Sequence, residues 1–453
     1  MNPVETKCLT DFFFSIADFR SVVLRNAAEL PLENSSNDVD IAIAPQELRR
    51  FRTRLFQVMH DHGFVRMEYS RFHGIECRTF YRLDDDGSIS SLKIDLFGHF
   101  EGGGVKYLDF EDIYRYCECN THGVHVLSYW AEALLTAAKM FAAGGSLSPK
   151  YQKPFLSGKC PEAYYALING IASVRLRKKL FGLIGDEEPD FGGISRAGVV
   201  IGCLFRNFFR NPFATIARIS AHLYYESTRG IVCRTIICFV GPDGCGKSSI
   251  ISGVTDLARE TFRSPTKRFV LFHHRPHLLC NLGMLFRRGK MTEQEVNDET
   301  FNPHGGKTSG FVVSIVKLCW YCMDYRLGYW LKVAPLFRRA NIVLFDRYFF
   351  DFLADQRRSA MNLPNWIVTA AYWLCIPKPD RVFFITVDPD DALRRKQEIS
   401  RESIVGINSA YSKMAESFRC FRIIENRDLK TAIRETAAGI MLTITKPVPD
   451  DGR

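Results

Sequence analysis

The sequence predicts an α/β chain: a C-terminal three-layer domain on a parallel sheet, preceded by an α+β domain and a helical connector. Three observations carry this. From Arg234 onward the apolar runs RTIICFV, RFVLFH, NIVLFD and RVFFITVD alternate with helical stretches, the pattern of a parallel sheet covered by helices. Between the first run and the next helix lies a glycine-rich turn, Gly241-Pro-Asp-Gly-Cys-Gly-Lys-Ser248. Ahead of these, Asp38–Ala44 and Ser91–Phe97 alternate as strands, while Asp11–Arg20 and Gln46–His62 have helical spacing.

The boundaries follow from breaks in these patterns. Residues 1–125 mix strand and helix, with a Gly-rich hinge at Glu101–Gly104. Residues 126–229 are mainly helical, interrupted at GGSLSP, GDEEPDFGG and Asn211-Pro212. Residues 230–453 form the strand-then-helix part. With 453 residues the chain exceeds what one core organises. Its 46% hydrophobic and 24% charged residues exclude disordered and fibrous classes.

The formal charge of +10 suits anionic ligands: nucleotides, phosphorylated substrates or an acidic membrane surface. No specific nucleic-acid partner is expected. Part of the charge is local, since residues 170–235 hold ten Lys/Arg against five Asp/Glu. Fourteen irregularly spaced cysteines indicate reduced thiols in a cytoplasmic setting. The N-terminus lacks the succession of a signal peptide. The apolar stretch Phe311–Phe337 is broken by Lys317, Asp324, Arg326 and Lys332, so it reads as a buried or amphipathic helix.

The turn at 241–248 fits G-x-x-x-x-G-K-[ST] at every fixed position. Glycines let successive N–H groups point at one phosphate, and the following helix offers its positive N-terminus. Lys247 is expected to reach the outer phosphates, and Ser248 to ligate Mg2+. Gly241, Gly244, Cys245, Gly246, Lys247, Ser248 and Ser249 are the expected ATP-binding set. Asp346 ends a strand, where a carboxylate can hold the Mg2+ shell, and Arg347 beside it can grip a phosphate. Arg275-Pro276 falls at the same sheet edge, and Arg394-Arg395-Lys396 with Arg401 form a basic stretch that can act as a lid.

GPDGCGKSS, HRP, DRYFFD and RRKQE, in that order, resemble the thymidylate kinase-like branch of the P-loop nucleoside monophosphate kinases. The resemblance covers roughly residues 230–440. It implies that Asp243 touches the sugar or hydroxyl region of the acceptor, that Arg275 and Arg347 hold an acceptor phosphate, and that Lys247, Arg395 and Arg401 stabilise the transferring group. It also leaves a homodimer open, because such domains often dimerise. The segment after Tyr348 departs from the pattern: Ala354 and Gln356 stand in register, but bulky and acidic residues replace the serines and tyrosine that read the base. The resemblance therefore carries the phosphate chemistry further than the acceptor.

Near the N-terminus, Asp38 and Asp40 lie two apart on an alternating strand and so point to one side. Asp95 on a second strand completes a three-carboxylate set able to hold Mg2+ against a triphosphate. This arrangement resembles the nucleotidyltransferase superfamily, and the order of the two domains resembles two-domain proteins of bacterial polysaccharide gene clusters. The superfamily's small-residue turn is replaced by Arg25-Asn26-Ala27-Ala28, with only Ser35-Ser36 near the aspartates. A degenerate binding domain is the expectation.

Other patterns reduce to structure. Cys319-x-x-Cys322 lies within a helical stretch and is read as packing. His122 with His125, and His273, His274 and His277, lack matching ligand partners. Arg206–Phe213 and Arg175–Lys179 mix basic and aromatic residues; helix packing with a solvated basic face is preferred, with a weak peripheral membrane contact left open. The expected function is γ-phosphoryl transfer from ATP, with Mg2+, to a nucleotide or other small phosphorylated or hydroxyl acceptor. The alternatives are nucleotidyl transfer through Asp38, Asp40 and Asp95, or a nucleotide-dependent scaffold at a membrane in glycan assembly.

Overall fold

The computed structural model describes residues 3–34, 38–72, 74–185, 188–232, 234–261, 269–279, 309–338, 342–359, 361–395 and 400–449. Ser35, Ser36 and Lys396, and the expected strand starts at Arg268 and Asn341, lie outside the described residues. Contacts divide the chain into two compact units. The first comprises the chain to Asp84, Ile89–Ser227 and the segment from Thr445; the second comprises Asp85–Ser88 and Thr228–Ile444.

The first unit is built on strands β1 (Ser21–Val23), β2 (Val39–Ile43), β3 (Arg66–Phe72), β4 (Ile75–Leu83), β5 (Ile89–Phe97), β6 (Phe100–Gly102), β7 (Val105–Leu108), β8 (Cys117–Cys119) and β9 (His125–Leu127). With the short strand Lys446–Pro447 they make a mixed sheet ordered 446–447, β3, β4, β5, β2, β1, β9, β8, while β6 and β7 pair separately. Side chains alternate across each strand, and the sheet uses both faces. Val39, Ile41 and Ile43 enter a core with Phe12, Phe51 and Leu55 from helices Pro3–Ser15 and Leu48–Asp61. Ala42 and Phe97 enter a second core with Leu134, Phe141, Leu180 and Val199 from helices Tyr129–Ala142, Val174–Gly185 and Arg196–Arg210. Asp40 and Asp95 share the face of Ala42 and Phe97 and are paired across the parallel β2–β5 contact.

Glu101–Gly104 is a hairpin turn between β6 and β7 rather than a hinge. Gly103 and Gly104 supply the positive φ values of 61° and 79° that close it. A Cβ on Gly104 would come within 3.3 Å of the Ile219 backbone, so this glycine also lets helix Pro212–Val232 approach.

The second unit carries five parallel strands, β10 (Ile236–Val240), β11 (Phe269–His273), β12 (Ile342–Asp346), β13 (Arg381–Thr386) and β14 (Phe421–Glu425), ordered β11-β12-β10-β13-β14. β10 to β13 coincide with the four apolar runs of the sequence. β14 was not foreseen, because Phe-Arg-Ile-Ile-Glu is short and carries two charges. The chain leaves β10 towards β11 on one side and enters β13 on the other, which opens a crevice beyond the C-terminal strand ends. One face packs Val240, Phe345 and Phe384 against helices Phe311–Gly328, Asn365–Cys375 and Arg401–Ser417 through Tyr325, Tyr372 and Tyr411. On the other face Gly439, in helix Leu429–Ile444, lies so near Phe383 that a Cβ would meet the ring at 2.7 Å.

The helix from Phe311 buries Leu318, Cys322, Asp324 and Tyr325 and passes into a π turn at Tyr329–Val333. Cys322 is packed and Cys319 exposed, and the described cysteines form no disulfide. No described helix is long and apolar enough to cross a membrane.

Phe350 is fully buried, with ring centroids of Phe421 and Tyr372 at 4.8 and 5.0 Å. Phe350→Ala is expected to cost about 3–5 kcal/mol through lost burial and the cavity left behind, measured by denaturant unfolding.

Candidate functional site

Three glycines shape the loop after β10, each for a local steric reason. Gly241 has φ +146°, and a Cβ there would lie 2.3 Å from the Ile385 carbonyl oxygen. Gly244 has φ +82°. Gly246 has φ +90° and would drive a Cβ to 2.4 Å from the Asn426 amide. The loop then enters helix Lys247–Thr261, whose first N–H groups have no intrahelical acceptor. Lys247 is buried, and its Nζ donates to the carbonyls of Gly241 at 2.9 Å and Pro242 at 2.7 Å. Cys245 is buried, whereas Ser248 and Ser249 are exposed at the helix start.

Asp346 ends β12, opposite Phe239 of β10 in register. Burial opposes its ionisation, but the His273 hydrogen bond and the charges of Lys247 and Arg347 outweigh that, holding its carboxyl below the ordinary range. Its Oδ2 lies 3.4 Å from His273 Nδ1, and its Oδ1 is buried with no protein partner among the described residues. An ionised, unpartnered carboxylate oxygen beside this loop fits a hard cation such as Mg2+.

Arg347 follows in the left-handed region at φ +72°, its N–H bonded to the Phe239 carbonyl at 2.8 Å. That conformation turns its side chain into two carboxylates. Nη1 donates to Asp351 at 2.9 Å and Nη2 donates to Asp243 of the loop. Tyr411 donates to the other Asp351 oxygen at 2.6 Å. Burial would raise the Asp351 carboxyl, but Arg347, His274 and Tyr411 together keep it below its usual range. Asp351 stands four residues after Arg347 in the sequence, but Arg347 precedes the short helix Phe350–Ala354, so the turn at Arg347 rather than helical spacing brings the two together.

Arg275 is almost wholly buried and donates to Asp324 at 3.1 Å, with the Tyr321 ring 5.3 Å away. Asp324 is itself fully buried and also accepts from the N–H groups of Leu278 and Leu279, both at 2.7 Å. In the sequence Asp324 looked like an interruption of an apolar helix; it is the anchor of Arg275. Arg395 ends helix Pro389–Arg395, and its guanidinium would lie 3.7 Å from a Cβ at Gly246. Arg401 instead donates to Asp390 at 2.9 Å and is exposed.

The other carboxylate set also assembles. Ligand oxygens of Asp38, Asp40 and Asp95 lie within 4.8 Å of one another. Three cations already neutralise them. Arg25 reaches Asp40 at 2.5 Å and Asp38 at 3.3 Å, Lys93 reaches Asp38 at 3.1 Å and Asp95 at 3.0 Å, and Lys139 lies 3.6 Å from Asp40. Burial raises the Asp95 carboxyl, and Lys93 offsets only part of it. Arg25 and Lys93 thus compete with any ion for these oxygens, while Asp95 Oδ1 is buried with no hydrogen-bond partner among the described residues. Among the described residues no histidine or cysteine joins such a set.

Sequence reasoning missed Asn426. It follows β14, is buried, and its Nδ2 donates to the Cys245 carbonyl at 2.7 Å, tying the loop to the sheet. Only the polar residue after an apolar alternation announced it.

The parallel sheet, the loop and the helix it feeds are consistent with a P-loop kinase domain. Residues 239–440 match the family model for thymidylate kinase. Among solved structures the chain is similar to a thymidylate kinase from Ehrlichia chaffeensis, with 16% identity over 46% of this chain and 98% of that one, at a TM-score of 0.31. No curated protein matches. The family match supports a phosphotransferase of the nucleotide-kinase type in this part of the chain.

Asn426→Ala should free the Cys245 carbonyl and weaken nucleotide binding about tenfold, the effect of one buried hydrogen bond, as read by titration with a fluorescent ATP analogue.

Proposed function

We propose that the second unit transfers the γ-phosphoryl group of ATP to a hydroxyl of a small acceptor. One observation carries the reading: the glycine-shaped loop, the N-terminus of helix Lys247–Thr261 and the ionised Asp346 converge at the C-terminal edge of a parallel sheet. Bound there, ATP with Mg2+ supplies the activated phosphoryl group. Loop N–H groups and Lys247 bind the phosphates, with Lys247 exchanging the Gly241 and Pro242 carbonyls for phosphate oxygens. Ser248 and Asp346 hold the metal, and Arg395 beside Gly246 neutralises charge on the transferring group.

The acceptor side supports an alcohol over a phosphate monoester. Asp243 and Asp351 line the small cavity beside the loop and meet there on the guanidinium of Arg347. Both terminal nitrogens of Arg347 already serve carboxylates, and Arg275 serves Asp324. A phosphate acceptor would have to compete with these carboxylates for the two guanidiniums. A hydroxyl meets acceptors for its proton, with Asp243 the residue of that set within the loop. Transfer of this kind needs positioning and charge neutralisation more than covalent chemistry.

Nucleotidyl transfer in the first unit is the weaker reading, because Arg25, Lys93 and Lys139 already pair with Asp38, Asp40 and Asp95, leaving Asp95 Oδ1 as the buried oxygen of the set without a partner among the described residues. Lys247→Ala is expected to lower ATP turnover by at least about a hundredfold without altering the circular dichroism spectrum. A panel of sugars, polyols and nucleoside monophosphates, followed by ADP release, should show turnover with hydroxyl acceptors. Acceptor-dependent ADP release that survives Lys247→Ala would sink the assignment, and turnover confined to monophosphates would sink the acceptor class.

A further inference from the structure

Helix Arg196–Arg210 and the part of helix Pro212–Val232 that belongs to the first unit, up to Ser227, present large apolar side chains to solvent. Phe205 is 66% exposed, Phe209 78% and Phe213 85%, with Ile201, Phe208 and Ile216 also exposed. These positions are not scattered. At about 100° per residue, Ile201, Phe205, Phe208 and Phe209 form one stripe about 100° wide, and Phe213, Ile216, Leu223 and Tyr224 form another. The opposite side of the first helix packs into the core through Val199 and Cys203. Core packing therefore does not account for the aromatics.

Cations flank the stripes. Residues 196–227 contain four arginines (196, 206, 210 and 218) and one acid, Glu226, a formal charge of +3. Arg206 and Arg210 fall about 60° and 100° beyond Phe209 on the helix surface. With Lys106, Arg115 and Arg218 they line a cavity of about 630 Å³, of the size that takes a phosphorylated head group. The acids of that cavity are engaged: Asp109 with Lys106 at 2.5 Å, Glu111 with Arg20 at 2.6 Å, and Asp112 with the Asp109 N–H at 3.2 Å. Arg210 reaches Asp109 only at 3.9 Å. Among the described residues no carboxylate pairs with Arg115, Arg206 or Arg218, and the buried Arg218 Nε has no hydrogen-bond partner.

We propose that this helix pair docks the protein on an anionic membrane surface, its aromatic stripes entering the lipid interface and its arginine-lined cavity receiving lipid phosphates. The charge selects the occupant. A second copy would bring like-charged arginines together, whereas a phosphate-bearing surface supplies the oxygen pairs that guanidinium forks bind. The contact is interfacial and does not span, in keeping with helices that carry arginine beside phenylalanine.

The test uses the full chain and two vesicle types, phosphatidylcholine alone and phosphatidylcholine with about a quarter phosphatidylglycerol. Sedimentation at low salt is expected to show at least about tenfold stronger binding to the anionic vesicles, lost at high salt. Phe205→Ser with Phe209→Ser and Phe213→Ser should abolish binding. Arg206→Gln with Arg210→Gln and Arg218→Gln should remove the preference for anionic lipid. Equal binding to both vesicle types, no binding, or full binding by the phenylalanine variant overturns the proposal. So does a dimer, seen by analytical ultracentrifugation, that the phenylalanine variant loses, because the stripes then serve self-association. Inorganic pyrophosphate that binds the protein in the absence of any vesicle binding overturns it too, leaving a small-anion site.

Discussion

The register of β12 against β10 governs the candidate site. Phe239 stands opposite Asp346, and the next residue, Arg347, donates its N–H to the Phe239 carbonyl at 2.8 Å. A slip of one residue would send Asp346 to the other face of the sheet and swing Arg347 away from the loop. The register is held by the alternating burial of Val343 and Phe345 against one core and by the parallel ladder to β11 on the other side. Loop geometry depends on the same sheet, since Gly241 rests against Ile385 of β13 and Cys245 is tied to Asn426 after β14. Four strands thus converge on one turn.

Buried arginines in this protein are fixed by carboxylates. Arg347 is held between Asp243 and Asp351, and Arg275 by Asp324. Such pairs recover little net stability, because desolvation offsets the Coulomb gain. They do fix orientation and charge. A guanidinium with both arms occupied offers an acceptor a neutralised wall rather than a free cation. Asp351, in the segment after Tyr348, therefore shapes this wall by its charge as much as by its bulk.

The first unit follows the same logic with a different outcome. Its three gathered aspartates meet Arg25, Lys93 and Lys139, so the cluster is internally neutral. A further concentration of positive charge lies elsewhere, on helices that leave Phe205, Phe209 and Phe213 exposed.

The four strands of the second unit, the loop at Gly241–Ser248 and the terminal position of Asp346 were legible in the sequence, because alternation, glycine spacing and strand ends are local properties. The same holds for Asp38 and Asp40, whose spacing puts them on one face. Partners were not legible. Asp324 follows Arg275 by 49 residues and Asn426 lies 181 residues beyond Cys245, so only folding brings either pair together. Exposure of Phe205, Phe209 and Phe213 was equally out of reach, since an amphipathic helix has the same sequence whether its apolar stripe meets a core or solvent. Local pattern determined the elements and the phosphate loop; long-range packing decided which charges are paired and which apolar face stays open.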